Sequence, residues 1–159
     1  MSYPLAVHAL CDRLDATDVP WAVTASANLA LRGLPVEPGD VDVITDADGA
    51  YDIADRFSGA VVRPVVPPSE AASEHIRSHF GALSLDGTTV ELMGDVEHRI
   101  DGEWVAAPDV AAVRESVPLD GRSVPVMPLD FELTGYRARG DHDRASLVEN
   151  HEDRTGVDA

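Results

Sequence analysis

The spacing of apolar residues changes several times along the chain, and each change marks a new element. Residues 5–16 place apolar side chains at helical spacing and predict a first helix. Residues 21–24 predict a short strand, after which Ser26 is placed to cap a helix that stops at Gly33. Residues 40–45 alternate between polar and apolar side chains, which is typical of a half-buried strand.

The remaining pattern predicts further strands followed by helices. It indicates a helix over 49–57, a strand over 60–66, a hairpin over 80–93 and a small hairpin over 100–105. From Pro128 onward the spacing is helical, with a break at Gly140. Strands and helices interleave early and helices dominate late, which predicts an α/β (α+β) fold.

The length of 159 residues suits one domain, spanning 1–159. We expect its core at about 1–105 and a helical C-terminal extension at about 106–159. The start of the chain lacks the pattern of a signal peptide, and no apolar run reaches the roughly 18–20 residues that cross a bilayer. We therefore expect a cytoplasmic protein without a membrane partner. The single cysteine, Cys11, excludes an internal disulfide and fits a small core residue. The sequence leaves open whether the protein forms a homodimer.

The charge of the chain is strongly negative. Asp and Glu number 29 against 12 basic residues, all of them arginine, and the net charge is −17. Self-repulsion of such a surface opposes the compact state, and molar salt removes it because the Debye length falls to about 3 Å at 1 M. We interpret the composition as salt adaptation of the haloarchaeal kind, with an acidic mesophilic protein as the alternative. Nucleic acid is not an expected partner, because its affinity rests on basic residues.

Candidate chemistry lies on the alternating strand at 40–45. Asp40 and Asp42 are two residues apart, so their side chains share one face while Val41 and Val43 enter the core. Adjacent carboxylates repel unless a cation neutralises them or one of them is protonated. Mg²⁺ suits the pair because it prefers oxygen ligands, and Glu91 on a later strand can supply a third carboxylate.

The Asp-x-Asp spacing of Asp40 and Asp42 is, by itself, weak evidence for a metal site. The chain contains three Asp-x-Asp patterns, at 40/42, 46/48 and 141/143, and an aspartate-rich sequence produces such matches by chance. Only the first follows a strand, small residues and a helix. The other two lie in a turn and beside a helix start, where solvation or capping is expected.

That context resembles the DNA polymerase β-type nucleotidyltransferase superfamily. Its hallmark is a strand, a Gly-Ser turn, a helix and a strand with Asp-x-Asp, matched here by residues 23–33 and 40–43. Small archaeal and bacterial nucleotidyltransferase-fold proteins are similar along nearly the whole chain. The matching stretches include 48–51, 78–81, 90–95 and 129–145. Agreement spread this widely is more specific than a three-residue motif.

The resemblance implies the nucleotidyltransferase fold, a mixed β-sheet flanked by helices with a short helical C-terminal tail. It implies transfer of a nucleoside monophosphate, with AMP from ATP expected among the nucleoside triphosphates, to an unknown hydroxyl acceptor. Asp40, Asp42 and Glu91 would be the catalytic residues and the ligands of Mg²⁺ or Mn²⁺. Nucleotide binding would involve Thr24, Ala25, Ser26, Asn28, His79 and Arg144.

One position departs from the family pattern. Ala25 stands where the family has the glycine of its Gly-Ser turn. Glycine adopts positive φ freely and alanine resists it. If the turn needs positive φ at residue 25, nucleotide binding is at risk; if it needs only a small side chain, alanine suffices.

Three hypotheses about function remain at this stage. The first is metal-dependent nucleotidyl transfer. The second is a non-catalytic nucleotide-binding regulator, or a toxin–antitoxin-like partner, which keeps the fold. The third is an acidic interaction domain whose carboxylates only aid hydration. Converging carboxylates would favour the first two, and transfer of label from ATP would separate them.

Overall fold

The computed structural model describes residues 3–70 and 72–158. Its helices are α1 (Tyr3–Leu14), α2 (Ala25–Leu31), α3 (Ala47–Arg56), α4 (Val110–Val113), α5 (Leu129–Arg139) and α6 (His142–Asp158). Its strands are β1 (Ala22–Thr24), β2 (Val41–Thr45), β3 (Val61–Val66), β4 (Ile76–Leu85), β5 (Thr88–Ile100), β6 (Glu103–Ala106), β7 (Glu115–Leu119) and β8 (Arg122–Val126). Short 3₁₀ turns cover Ser58–Ala60 and Pro68–Glu70.

One mixed sheet organises these elements. Its strand order is β3-β4-β5-β2-β1-β8-β7, and β6 pairs with β5 beside this path. The central pairs β2–β5 and β1–β8 are parallel, whereas β1–β2, β4–β5 and the two outer hairpins are antiparallel. With helices against it, the sheet confirms the predicted mixed α+β architecture.

The two faces of the sheet have different neighbours. Helix α1 and residues of α3 cover one face, where the apolar side chains of β2 and β5 form the largest core cluster: Val41, Val43, Val90 and Leu92 are fully buried in it. The other face carries the acidic positions of the same strands and packs a smaller cluster around Ile44, Val96 and Met127. The period-two alternation therefore separates core from polar face, as expected for strands.

Most predicted elements are present, but the predicted helix cap is wrong. Ser26 does not cap α2, because the helix begins at Ala25 and Thr24 occupies the N-cap position. The break at Gly140 is confirmed, where the glycine ends α5 with φ of 74°. Cys11 is buried in the core and free, as expected.

Strands β7 and β8 were not predicted, and they lie in the segment expected to be helical. They form a hairpin whose turn residues Asp120 and Gly121 have φ of 51° and 81°. Such an Asp-Gly pair between alternating residues is a recognised hairpin signal, so the hairpin was open to prediction. The domain boundaries themselves stay a prediction. Within the described residues, no helix is long and apolar enough to span a membrane.

Candidate active site

Three carboxylates meet on the polar face of the sheet. Asp42 of β2 and Glu91 of β5 are direct neighbours in the parallel ladder, and Asp40 immediately precedes β2. Each offers an oxygen, and the three oxygens lie within 4.8 Å of one another. The structure thus brings together the three acids that the sequence singled out, although 48 residues separate the second and third along the chain.

The electrostatics of this cluster centre on Asp42. Burial, a hydrogen bond with Glu91, and the negative charges of Glu91, Asp40 and Glu132 raise the pKa of Asp42 to about 8. Its Oδ1 atom is buried without a hydrogen-bond partner among the described residues. A buried carboxylate oxygen without a partner costs free energy, which a bound cation would recover.

The donor set fits a hard divalent cation. All three side chains offer carboxylate oxygens, which Mg²⁺ and Mn²⁺ prefer, and the orphaned Oδ1 of Asp42 is a ligand atom without another role. Three protein carboxylates leave coordination positions for water or phosphate oxygens, as Mg²⁺ sites with nucleotides commonly do.

The turn between β1 and α2 lies beside this cluster. Thr24 pairs with Asp42 in the antiparallel ladder, so the two side chains share the polar face. Ala25 has φ of 59°, which answers the question left by the sequence: the turn takes positive φ, and alanine occupies it. This conformation is unfavourable for an L side chain and must be held by its surroundings.

Ser26 and Arg144 form the next part of the site. The guanidinium of Arg144, near the start of α6, donates to Ser26 Oγ at 3.1 Å. Arg137, by contrast, forms an ion pair with Glu149 at 2.5 Å. Of the tail arginines, Arg144 therefore reaches the turn and Arg137 has the surface pairing expected by default.

The structure does not bring His79 to the carboxylates. In the β4–β5 ladder His79 pairs with Gly94, whereas Glu91 pairs with Ala82. Glu91 and Gly94 are three positions apart along β5, an odd number, so the two positions point to opposite faces. His79 accordingly contacts Tyr51 of α3, whose hydroxyl lies 3.1 Å from its Nδ1. A role for His79 with nucleotide stays a prediction that this geometry does not support.

Asn28 also has a different place from the one expected. Its amide is fully buried, and its Nδ2 donates to the Met127 carbonyl at 2.9 Å and to Glu132 at 2.7 Å. Its Oδ1 accepts from Arg32 Nε at 2.9 Å. Because these polar atoms are hydrogen-bonded inside the protein, a role for Asn28 with nucleotide stays a prediction that this geometry does not support.

Comparison with known proteins identifies the family of the chain. A family profile, aminoglycoside-2''-adenylyltransferase, matches residues 6–151. The chain belongs to this family. A Thermotoga maritima protein of known crystal structure, assigned as a nucleotidyltransferase, is 35% identical with a TM-score of 0.78, and the match covers 94% of this chain and 91% of that one. The protein is therefore a member of a nucleotidyltransferase family.

Two more distant structures share the fold. The aminoglycoside adenylyltransferase ANT(2'')-Ia with adenylyl-2''-tobramycin is 11% identical, with a TM-score of 0.58 over 96% of this chain and 88% of that one. The lincosamide antibiotic adenylyltransferase LnuA with lincomycin bound is 11% identical, with a TM-score of 0.56 over 91% and 92%. No curated protein sequence matches significantly.

The adenylyltransferase-family site contains three residues that sequence reasoning did not assign. Glu132 of α5 is buried beside the β1–α2 turn, and Arg139 lines the carboxylate cleft with no carboxylate partner among the described side chains. His98 of β5 lines the same cleft, and burial followed by the charge of Arg139 lowers its pKa. No local signal marks Glu132 or His98; Arg139 shares the tail with other arginines.

A larger cleft opens next to the carboxylates. It has a volume of about 990 Å³ and shares His98 and Phe131 with the smaller cleft, of about 290 Å³, that holds Asp42 and Glu91. The two clefts therefore meet at His98 and Phe131, beside the acidic centre.

Proposed function

We propose that the protein transfers AMP from ATP to a hydroxyl group of a small acceptor, with Mg²⁺ as its metal. The observation that carries this proposal is the convergence of Asp40, Asp42 and Glu91 on neighbouring strands, with a buried Asp42 oxygen left unpartnered. Membership of a nucleotidyltransferase family supports the reaction class. The choice of ATP, of Mg²⁺ and of a small acceptor is the finer part of the proposal.

The side chains divide the work as follows. Asp40 and Asp42 would hold Mg²⁺, and the bound ion would supply positive charge that neutralises the phosphates. Ser26 and Arg144 bind triphosphate oxygens, and Arg139 adds a second positive charge at the cleft. Glu91 completes the metal site or accepts the proton of the acceptor hydroxyl.

The reaction breaks one bond and forms another at the α-phosphorus. The acceptor oxygen bonds to the α-phosphorus, the bond from that phosphorus to the bridging oxygen breaks, and pyrophosphate leaves. The hydroxyl proton passes to a carboxylate or to water. The large cleft is where we expect the acceptor, because it shares His98 and Phe131 with the smaller cleft that holds Asp42 and Glu91.

Two labels on ATP test this proposal. With a panel of hydroxyl compounds and Mg²⁺, label in the α-phosphate is expected to appear on an acceptor, whereas label in the γ-phosphate is expected in pyrophosphate. A chelator is expected to stop both the transfer of the α-label and the release of labelled pyrophosphate. Transfer of the γ-label to an acceptor would contradict the proposal, and ATP binding without transfer to any compound would instead identify a nucleotide-binding regulator.

We further infer adaptation to concentrated salt from the net charge of −17. Screening removes self-repulsion, so the unfolding midpoint is expected to rise by about 5–10 °C between 0.1 M and 2 M KCl, a few kcal/mol for a chain of this size. Calorimetry at pH 7 measures the shift. Near pH 4.4, the isoelectric point, the net charge vanishes and the shift should shrink. An equal shift at both pH values would rule out screening as its cause.

A further inference from the structure

Glu132 is a buried carboxylate surrounded by donors from the β1–α2 turn. Its Oε2 accepts from Thr24 Oγ1 at 2.8 Å, from the Ala25 backbone N–H at 3.0 Å and from Asn28 Nδ2 at 2.7 Å. Its Oε1 accepts from Thr24 Oγ1 at 3.0 Å. Only 5% of the residue is exposed. No ion pair of Glu132 occurs among the described residues, so these neutral donors are its hydrogen-bond partners.

The hydrogen bonds meet at the one strained residue of the turn. Ala25 has φ of 59°, a region that suits glycine and that L side chains rarely adopt. A residue persists there only when its surroundings determine the conformation. Glu132 contacts the backbone N–H of Ala25 itself and the side chain of Thr24 on its N-terminal side.

The same network extends to the rest of the site wall. Asn28 links Glu132 to the Met127 carbonyl at the end of β8, and Arg32 binds both Asn28 Oδ1 and the Met127 carbonyl. The turn is thus connected to α2, to α5 and to the segment after β8. Because Ser26 directly follows Ala25, the dihedral angles of Ala25 decide where the Ser26 hydroxyl lies relative to Arg144.

We propose that Glu132 is a positioning residue that holds Ala25 in the left-handed conformation. Its hydrogen bonds stabilise a positive φ that a glycine at this position would adopt without them. By this means it keeps Ser26 beside Arg144 and in place for the triphosphate. The inference rests on the proposed function for its consequence, nucleotide binding, but not for the conformation of the turn. Glu132 lines the same cleft as Asp42 and Glu91, but its hydrogen bonds among the described residues go to Thr24, Ala25 and Asn28.

A cycle of variants separates positioning from simple stabilisation. Glu132→Gln replaces one acceptor oxygen by a donor that faces other donors, and Ala25→Gly removes the resistance to positive φ. Glu103→Gln, at an exposed position of β6, is the matched control for the loss of a carboxylate. If Glu132 acts by holding Ala25, replacing Glu132 should change the turn and the ATP affinity much less when residue 25 is glycine.

The first readout is the turn itself, by NMR. Backbone chemical shifts and coupling constants of residue 25 are expected to report positive φ in the wild type, to change in E132Q, and to return in the double variant. Exchange of the Ala25 amide is expected to accelerate in E132Q, because its acceptor is weakened. If folded E132Q has an unchanged turn, the proposal is overturned, whatever its affinity for ATP.

The second readout is the affinity for ATP with Mg²⁺, by calorimetry. E132Q is expected to bind about 10- to 100-fold more weakly, a loss typical of residues that orient a binding group. Adding A25G should recover most of that loss relative to A25G alone, whereas E103Q should bind within about twofold of the wild type. Additive effects of E132Q and A25G would overturn the positioning role.

This design distinguishes failure of the proposed function from failure of the positioning role. If the wild type does not bind ATP with Mg²⁺, the proposed function fails while the NMR result still decides the conformation of the turn. If E132Q does not fold, Thr24→Val removes the hydrogen bonds that the Thr24 hydroxyl donates to Glu132 and leaves the carboxylate, and the same cycle with A25G applies. A T24V effect that A25G leaves undiminished would then count against the proposal.

Discussion

Replacing Asp42 by asparagine is expected to lower kcat/KM for nucleotidyl transfer by about 10³-fold or more, the equivalent of roughly 4 kcal/mol of transition-state stabilisation. Asparagine keeps the size of the side chain but loses its charge, and its amide nitrogen is a donor where a ligand oxygen is needed. The loss should be large because Asp42 lies between Asp40 and Glu91, within 4.8 Å of both. Rates of AMP transfer from α-labelled ATP measure it.

Asp48→Asn is the matched control. Asp48 belongs to the second Asp-x-Asp pattern and is exposed in the first turn of α3, so the same change of charge occurs outside the site. D48N is expected to keep wild-type transfer. D42N is expected to fold at least as stably as the wild type without metal, since it removes repulsion among buried carboxylates. A D42N protein that transfers AMP at more than about a tenth of the wild-type rate would exclude Asp42 as a metal ligand.

The affinity for Mg²⁺ is expected to rise about 100-fold between pH 6 and pH 9, because a carboxylate must lose its proton to bind a cation. The pKa of Asp42 is raised to about 8, so at pH 6 most of the molecules carry this proton. Binding at pH 6 is then expected to release about one proton, and binding at pH 9 almost none. Calorimetry in two buffers of different ionisation enthalpy counts the protons.

The stability of the metal-free protein follows from the same pKa. The folded-state pKa of Asp42, about 8, exceeds its ordinary value of 3.8, so the folded state holds the proton more tightly than the unfolded chain. This contribution to the free energy of unfolding is fully present below pH 4 and is lost as the pH rises through 8. Added Mg²⁺ is expected to restore stability most at the alkaline end.

Two results would contradict this account of the acidic centre. One is an affinity for Mg²⁺ that stays constant from pH 6 to pH 9. The other is a metal-free protein whose unfolding midpoint does not fall between pH 5 and pH 9. D48N serves again as the control, and its pH profile should follow that of the wild type.

Several elements could be predicted because their signals are local. The helical spacing over 5–16, the Asp86-Gly87 turn and the break at Gly140 all correspond to observed features. Capping was less predictable. Ser26 has a suitable side chain, but Thr24 is the N-cap and the helix begins at Ala25, two residues earlier than a cap at Ser26 would place it. The β7–β8 hairpin went unpredicted because its short strands contain Pro118 and Pro125, which weaken a strand pattern.

The sequence by itself determined that Asp42 and Glu91 face away from the apolar core, because side chains alternate along any strand. It also determined the net charge and the alanine at position 25. Only the tertiary structure decided that β2 and β5 are neighbours in parallel register, that His79 lies on the other face, and that Glu132 arrives at the turn from 107 residues downstream. Alternation is a property of local backbone geometry, whereas strand pairing and the burial of Glu132 depend on how distant segments pack. Local geometry therefore gave the orientation of each acid separately, whereas their convergence rested on the family resemblance until the structure showed it.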